Sequence, residues 1–277
     1  MKKIIIQGDD WGYSKEANAG IEYVYEHGIL TETTVMVNVF DVKKKSEYRH
    51  RIDSLENKSG LNKPKLGIGV HLNVTYGKPL SPKWPNPEFT RPHKDSGRPE
   101  EWIGSAWKKY FAQFTPVQVE DEYRRQIELA LKIFGKIDHL DSHHFSASYK
   151  PLKTVYEKLA KEYILAVRPD APLSENPVYG GDFIVKKEAS DRLKAKGTKT
   201  ADRYCLKLFS NEKNPIGSFL KEVNKVMDNE TAEIMFHPAK GKNADEWRKI
   251  DLSILTNKEV LEFFKNSNIQ LITYGNL

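Results

Sequence analysis

Two kinds of hydrophobic pattern alternate along the chain. Short apolar runs rich in Ile, Val and Leu are typical of buried strands, and stretches with an apolar residue every three or four positions predict amphipathic helices. We expect strands at residues 4–10, 33–39, 65–72, 164–168, 232–237 and 269–274, and a further strand leading to Asp141. Helices are expected at residues 14–28, 119–134, 151–161, 219–227 and 256–264. Strands separated by helices indicate βα units and a mainly parallel sheet.

Four of the apolar runs stop abruptly in Asp or His. They lead into Asp9 and Asp10, into His71, into the string at residues 138–144, and into His237. The carboxyl ends of all strands in a βα barrel converge on one rim, so side chains from distant strands can meet there. An open doubly wound sheet gathers its site at one switch point, which makes four converging strand ends harder to arrange. We therefore expect an α/β fold closed into a barrel.

Asp10, His71 and His143 are the candidate metal ligands. Imidazole nitrogens and carboxylates bind divalent metals, and a set of three leaves positions open for water and substrate. A single His at a strand end is more often a hydrogen-bonded structural residue. The joint pattern at several strand ends favours the metal site for this set.

Asp9, beside Asp10, is the candidate general base. Adjacent side chains on a regular strand point to opposite faces, but a strand end that turns into a loop can bring both carboxylates to the rim. The alternative is that the pair caps the next helix, with Gly12 supplying the bend. His237 is the candidate acid, which would donate a proton to a leaving group.

Arg168, at the end of its predicted strand, is a further candidate catalytic residue. A guanidinium group can hold a carboxylate by two hydrogen bonds, although a purely structural ion pair is the alternative. Asp141 or Asp170 could orient a histidine. The remaining histidines show no pattern and are expected at the surface or in the core: His27, His50, His93 and His139.

Composition limits the classes of protein to which the chain can belong. Its 277 residues suit a single α/β domain across positions 1–277, and the formal net charge of +6 comes from scattered Lys and Arg. The most basic cluster, at residues 43–51, is interrupted by acidic residues, so we expect no nucleic-acid partner. The first residues become charged too quickly for a signal peptide or a membrane span. We expect a soluble, cytoplasmic protein with no membrane partner.

Two long irregular insertions interrupt the alternation of elements, around residues 79–116 and 169–214. Long loops in a compact domain are usually lids, binding loops or interface elements, so substrate specificity is expected there. Trp84, Trp102 and Trp107 lie in the first insertion. The sequence has no motif for nucleotide binding or for a serine nucleophile.

A series of short motifs runs along nearly the whole chain. They are GDDWGYS at 8–14, NAGI at 18–21, GILTETT at 28–34, MVN at 36–38, HLNVT at 71–75, GKPL at 77–80, HLDSHH at 139–144 and MFHPA at 235–239. In sequence and order these motifs resemble those of the YdjC-like carbohydrate deacetylases, which include the chito-oligosaccharide deacetylases. The family usually has Ala and Phe at the positions of Gly8 and Trp11, and further histidines at positions 145–147. Trp11 could instead offer a stacking face to a sugar. With a carbohydrate ligand implied, Trp84, Trp102 and Trp107 are either sugar platforms or residues that fold back over the barrel.

The resemblance implies a distorted (β/α) barrel similar to that of the polysaccharide deacetylases, a bound Mg²⁺ or Zn²⁺, and a homodimer. At matching positions, Asp10, His71 and His143 correspond to the metal ligands, Asp9 to the base and His237 to the acid. The implied activity is metal-dependent removal of an acetyl group from N-acetylated amino sugars or short oligosaccharides such as chito-oligosaccharides. Two alternatives stay open: a metal-dependent hydrolase of another amide or ester, and a carbohydrate-binding protein that kept the metal site without catalysis.

Overall fold

Strands and helices alternate in the computed structural model, which describes residues 1–55, 63–89, 105–149, 152–169, 187–205 and 207–277. The strands are β1 Lys2–Trp11, β2 Glu32–Val35, β3 Gly67–Leu72, β4 His139–Ser142, β5 Ala166–Val167, β6 Arg203–Cys205, β7 Thr231–Phe236 and β8 Ile269–Leu271. The helices are α1 Lys15–His27, α2 Lys45–Leu55, α3 Ser105–Ala112, α4 Pro116–Phe134, α5 Leu152–Glu162, α6 Lys187–Ala195, α7 Pro215–Lys225, α8 Glu246–Leu255 and α9 Lys258–Asn266.

All strand pairs are parallel and belong to one curled sheet. Its order is β5-β4-β3-β2-β1-β7-β6, and β8 pairs with the first residues of β1. The curl brings Arg168, directly after β5, within 2.7 Å of Glu233 of β7, although these strands lie near opposite ends of the order. Within the described ranges, β5 and β6 form no ladder with each other. The predicted α/β barrel is therefore confirmed as a distorted half-barrel.

Capping side chains explain where the helices begin. The hydroxyl of Ser14 accepts a hydrogen bond from the first turn of α1, so this helix starts where predicted and the aspartate pair is not its cap. Helix α4 starts at Pro116 rather than at residue 119, because Thr115 and Gln118 form a capping box there. Both side chains satisfy amide groups that the helix itself leaves free.

Three predicted strands are shorter by three residues in the structure, and that at 65–72 is shorter by two. β2 ends at Val35, since Met36 leaves the extended conformation and residues 37–39 form a 3-10 turn. The turn places Asn38 next to the loop after β3, where its side chain donates to the carbonyl of Tyr76 at 2.9 Å. The segments at 164–168 and 269–274 are reduced to β5 and β8.

The hydrophobic core lies between the sheet and the helices around it. Ile21 of α1, Ile127 of α4 and Leu159 of α5 are fully buried there, together with strand residues such as Ile6 and Val70. The inside of the half-barrel is instead polar, because buried charged side chains from several strands meet at its carboxyl end. No helix among the described residues is long and apolar enough to cross a membrane.

Candidate active site

A bulge at the end of β1 turns two adjacent carboxylates to the same side. Side chains alternate along a strand, so with Gln7 and Asp9 inside the half-barrel, Asp10 would face outward. However, the pairing of β1 with β2 shifts register between Gly8 and Trp11, and Asp10 has φ 76°. Asp tolerates this left-handed backbone better than most residues. Both carboxylates therefore reach the inner pocket.

Asp10, His71 and His143 meet in a triangle of donor atoms. Asp10 Oδ1 lies 3.3 Å from His71 Nε2 and 3.1 Å from His143 Nδ1, and these nitrogens are 3.2 Å apart. Ligands about 2.1 Å from a metal are about 3.0 Å apart in an octahedral site and about 3.4 Å apart in a tetrahedral one. Asp10 Oδ1 is buried and makes no hydrogen bond within the described part of the chain, as expected of an atom that faces a cation. The triangle therefore fits a divalent metal.

Polar side chains outside the triangle form hydrogen bonds with His71 and Asp10. Asp141 Oδ1 lies 2.7 Å from His71 Nδ1, so it can accept the ring proton there and leave Nε2 facing the triangle. Arg248 of α8 donates to Asp10 Oδ2 at 2.6 Å. The sequence suggested that Asp141 or Asp170 orients a histidine, and Asp141 is in contact with His71 as this role requires. Asp170 lies outside the described residues.

A second possible ligand set, formed by Asp9, His71 and Asp141, lies beside the first, with donor atoms within 4.8 Å of one another. A protein cation already occupies it. The guanidinium of Arg168 contacts the two oxygens of Asp9 at 2.7 and 2.8 Å and lies 2.9 Å from Asp141. Because Arg168 already balances these carboxylates, the first set is the better candidate for a metal centre.

Arg168 also decides the charge of Asp9. Burial alone would raise the pKa of this carboxyl, but the guanidinium of Arg168 outweighs burial and holds the pKa well below its usual range. Arg168 is in turn anchored by Glu233, 2.7 Å from its Nε, and the hydroxyl of Thr34 lies 3.3 Å from Asp9 Oδ1. Asp9 is therefore ionised at neutral pH and held in place by fixed contacts.

His237 directly follows β7 and lies near Asp9. Its Nε2 is 3.9 Å from Asp9 Oδ2, and its ring packs edge-on against Trp247. Burial lowers the pKa of His237 to about 4, so the ring is neutral at pH 7. Its Nδ1 is buried and makes no hydrogen bond with any described residue. The structure thus brings all six predicted site residues into one pocket.

Three residues that contact this pocket were missed in the sequence. Glu233 had a signal, because it is a charged side chain in a strand that is otherwise mostly apolar. Thr34 had a weaker one, because its strand also contains the polar residues Glu32 and Thr33. Arg248 had none, since it lies on a helix 238 residues away from Asp10, which it contacts. Only the folded chain shows that these residues belong to the site.

Two tryptophans considered for sugar binding lie in the core. Trp11 is fully buried and packs edge-on against Phe40, so the expectation that it offers a stacking face is wrong. Trp84 is buried against Phe114, which agrees with the alternative that it folds back over the barrel. Outside the described side chains lie His93, Trp102 and Trp107.

Three of the remaining histidines occupy the surface and core positions expected of them. His27 and His50 are exposed. His139 is buried below the site, where its ring stacks on Tyr274 with centroids 4.1 Å apart and pairs with Glu32 at 3.2 Å. His139 is therefore not part of the donor triangle.

The fold and the site together define a class of α/β half-barrel proteins with an Asp-His-His set at the carboxyl edge of the sheet. The model of the YdjC-like protein family matches residues 3–266. The chain therefore belongs to the YdjC-like family, as its motifs predict.

Similar proteins cover almost the whole chain. A carbohydrate deacetylase of Brevibacillus brevis is 29% identical over 284 residues, with 99% of each chain covered. A chitooligosaccharide deacetylase of Proteus mirabilis is 27% identical, over 99% of this chain and 98% of its own. The crystal structure of a "putative cellobiose-phosphate cleavage protein" of Enterococcus faecalis is 26% identical with a TM-score of 0.70, over 99% of this chain and 98% of its own. The similarity to deacetylases supports the prediction that this chain is a hydrolase.

Proposed function

We propose that the protein is a metal-dependent carbohydrate deacetylase, a hydrolase that removes the acetyl group from N-acetylated amino sugars or short oligosaccharides such as chito-oligosaccharides. The observation that carries this proposal is the donor triangle, which lies directly beside an ionised Asp9 and a neutral His237. The names of the similar deacetylases support the class of substrate.

Asp10, His71 and His143 would hold the divalent metal, Mg²⁺ or Zn²⁺. Two imidazole nitrogens and one carboxylate suit Zn²⁺ better than Mg²⁺, which prefers oxygen ligands. When bound, the metal would polarise the acetamide carbonyl and increase the acidity of a water molecule. Three protein ligands leave the pocket side of the site open to substrate.

Asp9 would accept the proton of the attacking water. Because Arg168 lowers its pKa, Asp9 is a weak base and depends on a water molecule that is already acidic. Arg168 would act as a positioning residue, since its two hydrogen bonds leave the carboxylate of Asp9 little freedom to rotate.

His237 would donate a proton to the departing amine. Its ring is neutral at pH 7, so it must first receive a proton during the reaction. Asp9 Oδ2, 3.9 Å from His237 Nε2, would pass on the proton taken from water once the two side chains move to hydrogen-bond distance. The proton would then leave with the amine, which returns both side chains to their starting states.

Acetate release from di-N-acetylchitobiose, with and without a chelator, tests the proposal. We expect chelation to abolish release and added metal to restore it, and we expect His143→Ala to lose both metal and activity. Full activity in the chelated sample would refute the metal mechanism. Asp9→Asn should keep the metal and lose turnover, whereas loss of the metal would show that the roles of Asp9 and Asp10 are wrongly divided.

Other outcomes of the same assay point to different functions. Turnover of other amides or esters, without release of acetate from sugars, would indicate a different hydrolase. Tight sugar binding without any turnover would indicate a carbohydrate-binding protein. A homodimer and a cytoplasmic location are also proposed, from the resemblance and the sequence respectively, and light scattering and cell fractionation test them.

A further inference from the structure

The pocket directly over the donor triangle is too small for a sugar ring. It has a volume of about 30 Å³ and is lined by residues that include His143, His237 and Arg248. This space holds about two water molecules, which is the scale of an acetyl group. If the proposed function is correct, the sugar that carries the acetyl group must therefore lie outside this pocket.

A larger groove opens next to the pocket, on the side of β1, β2 and β3. Its volume is about 750 Å³, within the range of cavities that bind small molecules, and Tyr13 lines both the groove and the metal pocket. The groove lies between the loops that follow β1, β2 and β3. Its side chains include Asn38, Asp41, Tyr76, Lys78 and Glu88.

A row of rings connects the metal pocket with the groove. The ring of His143 lies 6.2 Å from that of Tyr13, measured between centroids, and Tyr13 lies 4.7 Å from Tyr76 at an interplanar angle of 40°. Aromatic faces bind the apolar faces of rigid ligands at little entropic cost. A sugar chain that starts at the metal could therefore continue along these rings.

Two buried asparagines fix the wall of this groove. Asn38 donates to the carbonyl oxygens of Tyr76 at 2.9 Å and Lys78 at 3.3 Å. Asn73 donates to the side-chain oxygen of Asn38 at 3.0 Å and accepts from the backbone N–H of Tyr76 at 3.1 Å. These contacts within the chain fix the shape of the loop after β3, which reduces the entropic cost of binding.

We propose that this groove binds the sugar residue next to the one that is deacetylated, with Tyr76 and Tyr13 as its stacking face. The inference rests on the proposed function and adds a second binding position to it. The carboxylates of Asp41 and Glu88 outnumber the ammonium group of Lys78. The groove therefore suits a neutral or amino sugar, whose hydroxyl or amino groups can donate to carboxylates, and disfavours an anionic one.

Substrates of increasing length test the groove. We expect Tyr76→Ala to lower kcat/KM for tri-N-acetylchitotriose about tenfold more than for N-acetylglucosamine, since only the longer substrate reaches Tyr76. Tyr76→Leu, which keeps an apolar side chain of useful size but removes the ring, should give the same difference. Tyr163→Ala is the matched control, because Tyr163 is half-buried like Tyr76 but lies beside Arg124 and lines neither the pocket nor the groove. Equal losses for both substrates, or none, would overturn the proposal.

Binding separates failure of the groove from failure of the proposed function. Calorimetry on His143→Ala protein measures the affinity for tri-N-acetylchitotriose without turnover. An affinity about tenfold weaker after Tyr76→Ala would support the groove even if the wild-type protein released no acetate. An unchanged affinity would exclude the groove even if the protein were an active deacetylase.

Discussion

Replacing Asp141 with Asn tests whether the side chains that form hydrogen bonds with the proposed metal ligands determine metal affinity. One oxygen of Asp141 lies 2.7 Å from His71 Nδ1 and the other 2.9 Å from Arg168 Nη1. An amide has only one oxygen, so Asn cannot serve both, and its NH₂ group must face another donor. Either His71 or Arg168 therefore loses its acceptor, and an amide oxygen kept on His71 Nδ1 is uncharged and holds the ring more weakly than the carboxylate does.

Loss of such a partner weakens metal binding about 10- to 100-fold, which is about 1.4 to 2.8 kcal/mol. We expect Asp141→Asn to fall in this range, because His71 is only 2% exposed and water has little access to replace the carboxylate. Competition with a coloured chelator measures Zn²⁺ affinity without relying on activity. Asp138→Asn is the matched control: at the other end of β4, Asp138 pairs with Lys136 at 3.1 Å, and its loss should leave the affinity unchanged.

Unchanged Zn²⁺ affinity in a folded Asp141→Asn protein would refute this reasoning. Equal losses in both variants would also contradict it, since they would reflect general destabilisation rather than the orientation of His71. Thermal unfolding of the metal-free variants distinguishes these cases. A specific effect on the site lowers the Zn²⁺ affinity without a matching fall in Tm, whereas general destabilisation lowers both.

Three further predictions concern the outer contacts of the site and stability. Arg248→Met should weaken metal binding, because Asp10 Oδ2 loses its 2.6 Å hydrogen bond; chelator competition measures this, and an unchanged affinity would mean that the backbone alone holds Asp10. Gly20→Ala should destabilise the fold by about 1–3 kcal/mol in urea unfolding, since its Cβ would lie 2.4 Å from the Cα of Ala239, and an unchanged midpoint would contradict this close packing. Burial lowers the pKa of Lys63 to about 7, below the ordinary value of 10.5 in the unfolded chain. The unfolded state then binds more protons between these values, so Tm of the wild type should rise from pH 7 to pH 9 relative to Lys63→Met, and parallel profiles would contradict this.

Local sequence patterns predicted most elements because the periods of strands and helices are local properties. Three consecutive isoleucines at 4–6 and the helical spacing from residue 119 to 134 identify β1 and α4 without knowledge of the rest of the chain. The predicted ends of strands were wrong where contacts with distant parts of the chain accompany a turn. Residues 37–39 have strand-like composition, yet they turn away and Asn38 bonds to the loop after β3.

Burial could not be read from residue type alone. Trp11 stands where the family usually has Phe, and this departure suggested a stacking face for a sugar. The shift in register at the bulge turns its ring into the core instead, against Phe40. Tyr13, two residues later, lines the pocket instead, together with the aromatic side chains of Phe145 and Trp247.

The sequence by itself determined the parallel α/β architecture, the family and the residue types at the strand ends, because each depends on short segments and their order. It named Asp10, His71 and His143 as one set, and the structure brings them within 3.3 Å of one another. Only the tertiary structure decided that Arg168 forms an ion pair with Asp9 and Arg248 with Asp10. Such pairings join positions far apart in the chain, and they form because a charge buried in the half-barrel must be balanced by whichever opposite charge the fold places beside it.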